Sequence, residues 1–221
     1  MAGSVSCRFC LQAALIGMLV LGLGVGQASA GQEEDFAAGM VSYRRADFST
    51  AIPLLRKVAD AGHAEAQAVL ASILDASDSD EEAVSYYRKS AAAGNLDGIF
   101  GLGGMLANGE GVAKDVKEAK ALYLRAAEAG HKLAISAMAQ AYIRGELDIP
   151  EDQRKGKEAI SWITRAADDG FILAVETLEK AYRTGDFGLS VDIQKADQLK
   201  KKLMTISGAK EKKGRRRGDA K

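Results

Sequence analysis

The side chains able to do chemistry in this 221-residue chain are few. His63 and His131 are its only histidines, so any imidazole base or histidine metal site must be built from them. Each stands one residue after a glycine, where comparable segments carry Asn95 and Phe171, so the position takes unrelated side chains. The triplet Gly109-Glu110-Gly111 invites comparison with a phosphate-cradling loop. Such a loop needs a preceding strand and either a third glycine at dinucleotide spacing or a Gly-Lys-Ser/Thr, and neither is present. Asp75, Asp78, Asp80, Glu81 and Glu82 gather at a helix start, where they suit the positive end of the helix dipole. No acid–base pair stands out among them. Tyr86, Tyr87, Tyr123 and Trp162 are the aromatic candidates for a binding box. From these residues we expect no catalytic residue, cofactor or metal.

The elements that would have to position such residues begin after residue 30. Residues 1–30 read as a secretory signal: Arg8 is the only charge, an apolar Gly-containing run extends from Leu11 to about Val25, and Ala28-Ser29-Ala30 gives a small-x-small cleavage pattern. The apolar run falls short of the ~20 residues a membrane span needs. Cleavage after Ala30 would remove Cys7 and Cys10, leaving no disulfide, thiol nucleophile or cysteine ligand. The expected location is therefore the periplasm or the exterior. Formal net charge is +0, but residues 209–221, "AKEKKGRRRGDAK", hold seven Lys/Arg against two Asp/Glu. Residues 208–221 read as an unfolded basic tail, either a solvated end or a tether to an anionic surface. The remainder of the mature chain is acidic.

Four stretches align on glycines: "AIPLLRKVADAG" to Gly62, "AVSYYRKSAAAG" to Gly94, "AKALYLRAAEAG" to Gly130 and "AISWITRAADDG" to Gly170. Eleven residues before each glycine is an alanine (Ala51, Ala83, Ala119, Ala159), and five before is a base (Lys57, Lys89, Arg125, Arg165). Eight and seven before come Leu54-Leu55, Tyr86-Tyr87, Leu122-Tyr123 and Trp162-Ile163. Four after the glycine is Ala66, Gly98, Ala134 or Ala174. The glycine spacings of 32, 36 and 40 are those of stacked supersecondary units. Within each unit apolar residues recur at three and four, the helical period. Each glycine is expected to end one helix in the left-handed conformation, and Asp115 to cap the helix after it. The aromatics, fixed in repeat phase, belong to packing between helices. The two histidines fall two units apart, on the order of 20 Å at ordinary helix spacing, too far to share a metal.

"LGGMLANGEGVAKDVKEAKALYLRAAEAG", residues 102–130, resembles the Sel-one-like repeat, a relative of the tetratricopeptide repeat. Leu102-Gly103, Gly109, Gly111-Val112, Asp115, Ala119, Tyr123, Arg125-Ala126-Ala127 and Gly130 carry the likeness; Leu106 and Glu118 depart from it. "GLSVDIQKA", residues 188–196, shows the same loop with an added serine. The resemblance implies an all-α, right-handed α-solenoid of about five helix–turn–helix repeats over residues 31–207. It also implies a concave groove lined by the first helix of each repeat. Family phase places Tyr43, Glu65, Ala68, Asp97, Phe100, Leu133, Ser136, Gln140, Glu176, Lys180 and Arg183 towards that groove. The function expected is a non-enzymatic protein-binding scaffold of a bacterial cell envelope, with a protein segment in the groove and no nucleic acid. Regulation of a periplasmic sensor kinase is one alternative. A β-lactam-binding or hydrolysing enzyme is another, but its cysteine-rich relatives depend on a disulfide in each repeat, which this mature chain would lack.

Overall fold

A computed structural model describes the backbone of residues 23–218 and the side chains of residues 31–208. Most of the expected secretory signal lies outside the described residues. The described residues are all helical, without a strand. They form α1 (Leu23–Arg44), α2 (Phe48–Asp60), α3 (Ala64–Asp75), α4 (Asp80–Ala92), α5 (Leu96–Asn108), α6 (Val116–Glu128), α7 (Lys132–Arg144), α8 (Lys157–Asp168), α9 (Ile172–Thr184) and α10 (Ile193–Gly218). Short 3-10 turns at Glu151–Gln153 and Asp186–Gly188 interrupt two of the joints. No helix among the described residues is long and apolar enough to cross a membrane.

The chain divides into two compact units, residues 1–58 and 59–221. In the first, Gly39 of α1 lets Leu55 of α2 approach: a Cβ there would stand 3.0 Å from the Leu55 Cγ. Asp47 caps α2 by accepting from the Thr50 N–H at 3.2 Å and from the Ser49 hydroxyl at 2.7 Å. Lys57 pairs with Asp35 across the same two helices.

In the second unit consecutive helices pack in chain order from α3 to α10, so the helix pairs stack as an α-solenoid. The turn glycines have the expected left-handed backbone, with φ of 98° at Gly62, 82° at Gly94, 89° at Gly130 and 83° at Gly170. The alanines in repeat phase are the smallest parts of the core: Ala66, Ala83, Ala119, Ala134, Ala159 and Ala174 are fully buried. Close approach is tightest at α5. A Cβ on Gly98 would meet the Ser90 side chain, and one on Gly101 would fall 2.1 Å from the Tyr87 ring. Ser90, fully buried, donates to the Ala64 carbonyl at 2.7 Å.

The helix α10 differs from the expected end of the chain. Its backbone stays helical through Gly218, past Ser207. Lys, Glu, Ala and Arg are strong helix formers, and an established helix propagates at little further entropic expense.

Candidate functional site

The residue after each turn glycine is not chemically indifferent. It is the N-cap of the next first helix. His63 accepts from the Ala66 N–H through Nδ1 at 3.2 Å, Asn95 from the Gly98 N–H at 2.9 Å, and His131 from the Ala134 N–H through Nδ1 at 3.1 Å. An imidazole nitrogen thus does what an asparagine oxygen does. Phe171, at the fourth copy, makes no side-chain cap. Because Nδ1 of His131 accepts, its Nε2 carries the proton and donates to Asp97 at 3.0 Å. Both ring nitrogens are committed to structure, which leaves no lone pair for base catalysis or ligation. Among the described residues no three His, Cys, Asp or Glu come together as a metal site. Gly109 has φ 84° and ends α5, while Gly111 (φ 60°) lies against the Asp80 backbone. Asp115 caps α6 by accepting from the Glu118 N–H at 2.9 Å, as expected, and Asp192 does the same for Lys195 at 3.0 Å.

The second helices hold their aromatics inside. Tyr86 and Trp162 are buried, and each lies under the basic residue three positions later: Lys89 Nζ is 4.7 Å from the Tyr86 ring centre, and the Arg165 guanidinium 4.5 Å from that of Trp162. Arg165 also donates to the Ala127 carbonyl of α6 at 2.8 Å, tying one repeat to the next. Tyr86 donates to Asp60 at 2.7 Å.

The first helices present a different face. Of the residues expected there, Glu65, Asp97, Leu133, Glu176, Lys180 and Arg183 are exposed, and Phe100, Ser136 and Gln140 are half-buried. Leu133 is 59% exposed, unusual for a leucine with a core available on the same helix. Phe100 sits between the rings of Tyr123 at 5.3 Å and His131 at 5.0 Å. Arg183 is engaged by Glu179 at 2.6 Å and Asp197 at 3.1 Å, which hold its guanidinium further above its ordinary basicity. Ala68 corrects the expectation: it is 3% exposed and offers nothing to a partner. It shares its place in the repeat with Phe100, Ser136 and Glu176, at the margin of the buried stripe, where a methyl is covered and a longer chain emerges. Tyr43 belongs to the first unit, where its ring packs 6.3 Å from Phe48.

The reading of repeat phase did not foresee a cavity of about 470 Å³ between α5, α6, α7 and the joint after α7. Asn108, Lys114, Tyr123, Gln140, Glu146 and Asp148 supply its polar lining. Ten residues after the turn glycines stand Ser72, Gly104, Gln140 and Lys180, so near Tyr123 a glycine stands where the other copies carry a side chain. A Cβ there would lie 3.6 Å from the Tyr123 hydroxyl oxygen. Burial raises the Tyr123 pKa most, and the charges of Glu110 and Glu146 raise it further. Both carboxylates are oriented by amides: Asn108 donates to Glu110 at 3.2 Å, and Gln140 to Glu146 at 3.3 Å.

Comparison with known proteins follows the same register. The family described as Sel1 repeat matches residues 64–95, 96–131 and 132–171. The chain is a Sel1 repeat protein. Among solved structures, the Sel1 repeat protein is similar to one from Oxalobacter formigenes (25% identity, TM-score 0.64, covering 81% of this chain and 73% of that one). A Sel1 repeat protein from Klebsiella pneumoniae is 21% identical with TM-score 0.54, over 82% of this chain and 96% of that chain. A protective antigen of uropathogenic Escherichia coli strains, with an SLR fold, is 22% identical with TM-score 0.68 over 80% of this chain. The chain spans only 39% of the length of that antigen. No curated protein matches. Sel1 repeat proteins are typically protein-interaction scaffolds, and the family suggests a non-enzymatic role.

Proposed function

We propose that this Sel1 repeat protein is a non-enzymatic scaffold of a bacterial cell envelope that docks a segment of another protein along the groove face of its first helices. The observation that carries the reading is Leu133, 59% exposed on that face of α7 while Ile135, Met138 and Tyr142 of the same helix are buried. Together with the half-buried ring of Phe100 on the same face, it offers a partner apolar contact among charged neighbours. Asp97, Glu176 and Lys180 give the same face polar contacts at its rim. The alanine-rich core of the second helices supplies stiffness, so little ordering is needed when a partner arrives. Export and signal cleavage near Ala30 belong to this proposal, which places the protein in the periplasm or outside the cell.

The test is Leu133→Glu. Crosslinking capture from an envelope extract, with mass spectrometry of the captured protein, should lose its main partner with this variant while the melting temperature stays within error. An unchanged partner profile would overturn the assignment of the face. Hydrolysis of a β-lactam panel above a heat-killed control would overturn the non-enzymatic reading.

A further inference from the structure

We infer that the cavity beside Tyr123 takes a lysine or arginine side chain from the basic C-terminal segment, residues 209–221, of a second copy of this chain. The inference rests on the reading of this side of the molecule as a protein-docking surface and gives one site on it a specific occupant. Three observations carry it. First, the cavity wall carries the half-buried ring of Tyr123, whose hydroxyl makes no hydrogen bond among the described residues and lies near Gly104, where the other copies have Ser72, Gln140 or Lys180. Its volume of about 470 Å³ is ample for a long side chain and lies in the range of ligand sites.

Second, its chemistry asks for a cation. Glu146 and Asp148 line it, Glu110 is held beside it by the lining Asn108, and the two amide contacts leave further lone pairs on the glutamates. The negative edge continues beyond the cavity, where Glu110 and Asp80 act on the half-buried Asp75. Against these stand Lys114, exposed at the rim, and Arg144, which turns to Glu146 at 3.8 Å. A guanidinium or ammonium entering over Tyr123 would meet a ring face and charged acceptors together.

Third, this chain carries such cations and cannot bring them to its own cavity as a helix. The cavity lies at the edge where first helices end and second helices begin. The helix α10 starts at that edge and runs back along α9, so its far end lies at the opposite one. At 26 residues against 13, α10 outruns α9 by about 20 Å at the ordinary rise. Its backbone after residue 208, along which the sequence places six Lys/Arg up to Gly218, therefore runs past the end of α9 and away from the cavity of its own chain. The anionic surface that the tail needs is present in the chain itself.

A fluorescent peptide of residues 209–221, titrated into the full chain at low ionic strength and followed by anisotropy, tests this. Binding should weaken by about tenfold or more with Gly104→Leu, which covers the Tyr123 hydroxyl without altering charge, and with Glu146→Lys. A peptide carrying Arg215→Glu, Arg216→Glu and Arg217→Glu should not bind. Sedimentation velocity of the full chain should show concentration-dependent association that the same three substitutions abolish and salt reduces. Absent peptide binding, equal binding to the Gly104→Leu chain, or a monomer at all concentrations would overturn the inference. So would a tail whose substitution releases phosphatidylglycerol vesicles and leaves sedimentation unchanged. A Gly104→Leu chain that loses the peptide yet keeps the Leu133-dependent partner separates this site from the wider docking face. Loss of the Leu133 partner alone leaves this inference intact.

Discussion

Tyr87 and Tyr123 occupy the same place in consecutive repeats, seven residues before the turn glycine, and meet different fates. Tyr87 is 6% exposed, its ring pressed onto Gly101 of the following first helix so closely that a Cβ would fall 2.1 Å away. Tyr123 rests against Gly103 of its own repeat, where a Cβ would lie 3.0 Å from the ring, but is half-buried and lines a cavity. Gly101 admits one ring and closes the core; the other ring is left at the wall of a cavity bounded by the joint after α7. Repeat register thus decides packing, and departures from it decide what a partner can find.

The strongest way to break that contrast is at a position that is all packing. Trp162→Ala should lower stability by roughly 3 to 5 kcal/mol in urea unfolding, without selectively removing partner binding from the folded fraction. A fully stable variant that had lost its partner would move Trp162 from the core to the site. The glycines themselves sharpen it next. Gly101→Ala gains up to about 1 kcal/mol of helix propensity but overpacks against Tyr87 by roughly 1 to 3 kcal/mol, so its net effect should be a lower melting temperature. Gly104→Ala meets only an ordinary contact at 3.6 Å and should raise it. Equal signs for the two would dissolve the contrast.

A smaller effect is expected at the caps. His131→Ala should lose about 0.5 to 2 kcal/mol, while His131→Asn, which restores the acceptor present at Asn95, should recover most of it in the same thermal scans. The smallest effect concerns the acidic edge. Burial first, then Glu110 and Asp80, raise the Asp75 pKa. A raised carboxylate pKa means the native fold disfavours the charged form, a penalty present above the unfolded pKa and relieved as pH falls through the folded one. Asp75→Asn should therefore raise the melting temperature slightly at pH 7, and the gain should vanish below the ordinary carboxylate range, about pH 3.9.

Much of the fold was legible because repetition isolates cause. Four glycines at one register, with Ala66, Gly98, Ala134 and Ala174 four residues on, could mean only a turn followed by a close helix contact, and both are there. Tyr86, Tyr87 and Trp162 of the second helices were legible as core for the same reason, whereas Tyr123, read the same way, is half-buried at the cavity. The caps were not, since His63, Asn95, His131 and Phe171 share no obvious chemistry until the nitrogen and oxygen acceptors are seen facing the same N–H. The cavity was invisible because it depends on a joint after α7 whose Leu147 and Asp148, both in its lining, take φ of 54° and 51°. Repeat phase placed Ala68 on the open face; its size put it under cover.

The central claim, that the first helices and not the second meet the partner, is tested most directly by positional crosslinking. A photo-reactive amino acid placed singly at Phe100, Leu133 or Lys180, and for comparison at the exposed second-helix positions Lys117 and Ser161, reads out which face is covered in envelope extract. The expected result is one shared adduct from the three first-helix positions and none from the other two. Adducts from Lys117 and Ser161, with none from Leu133, would contradict the account.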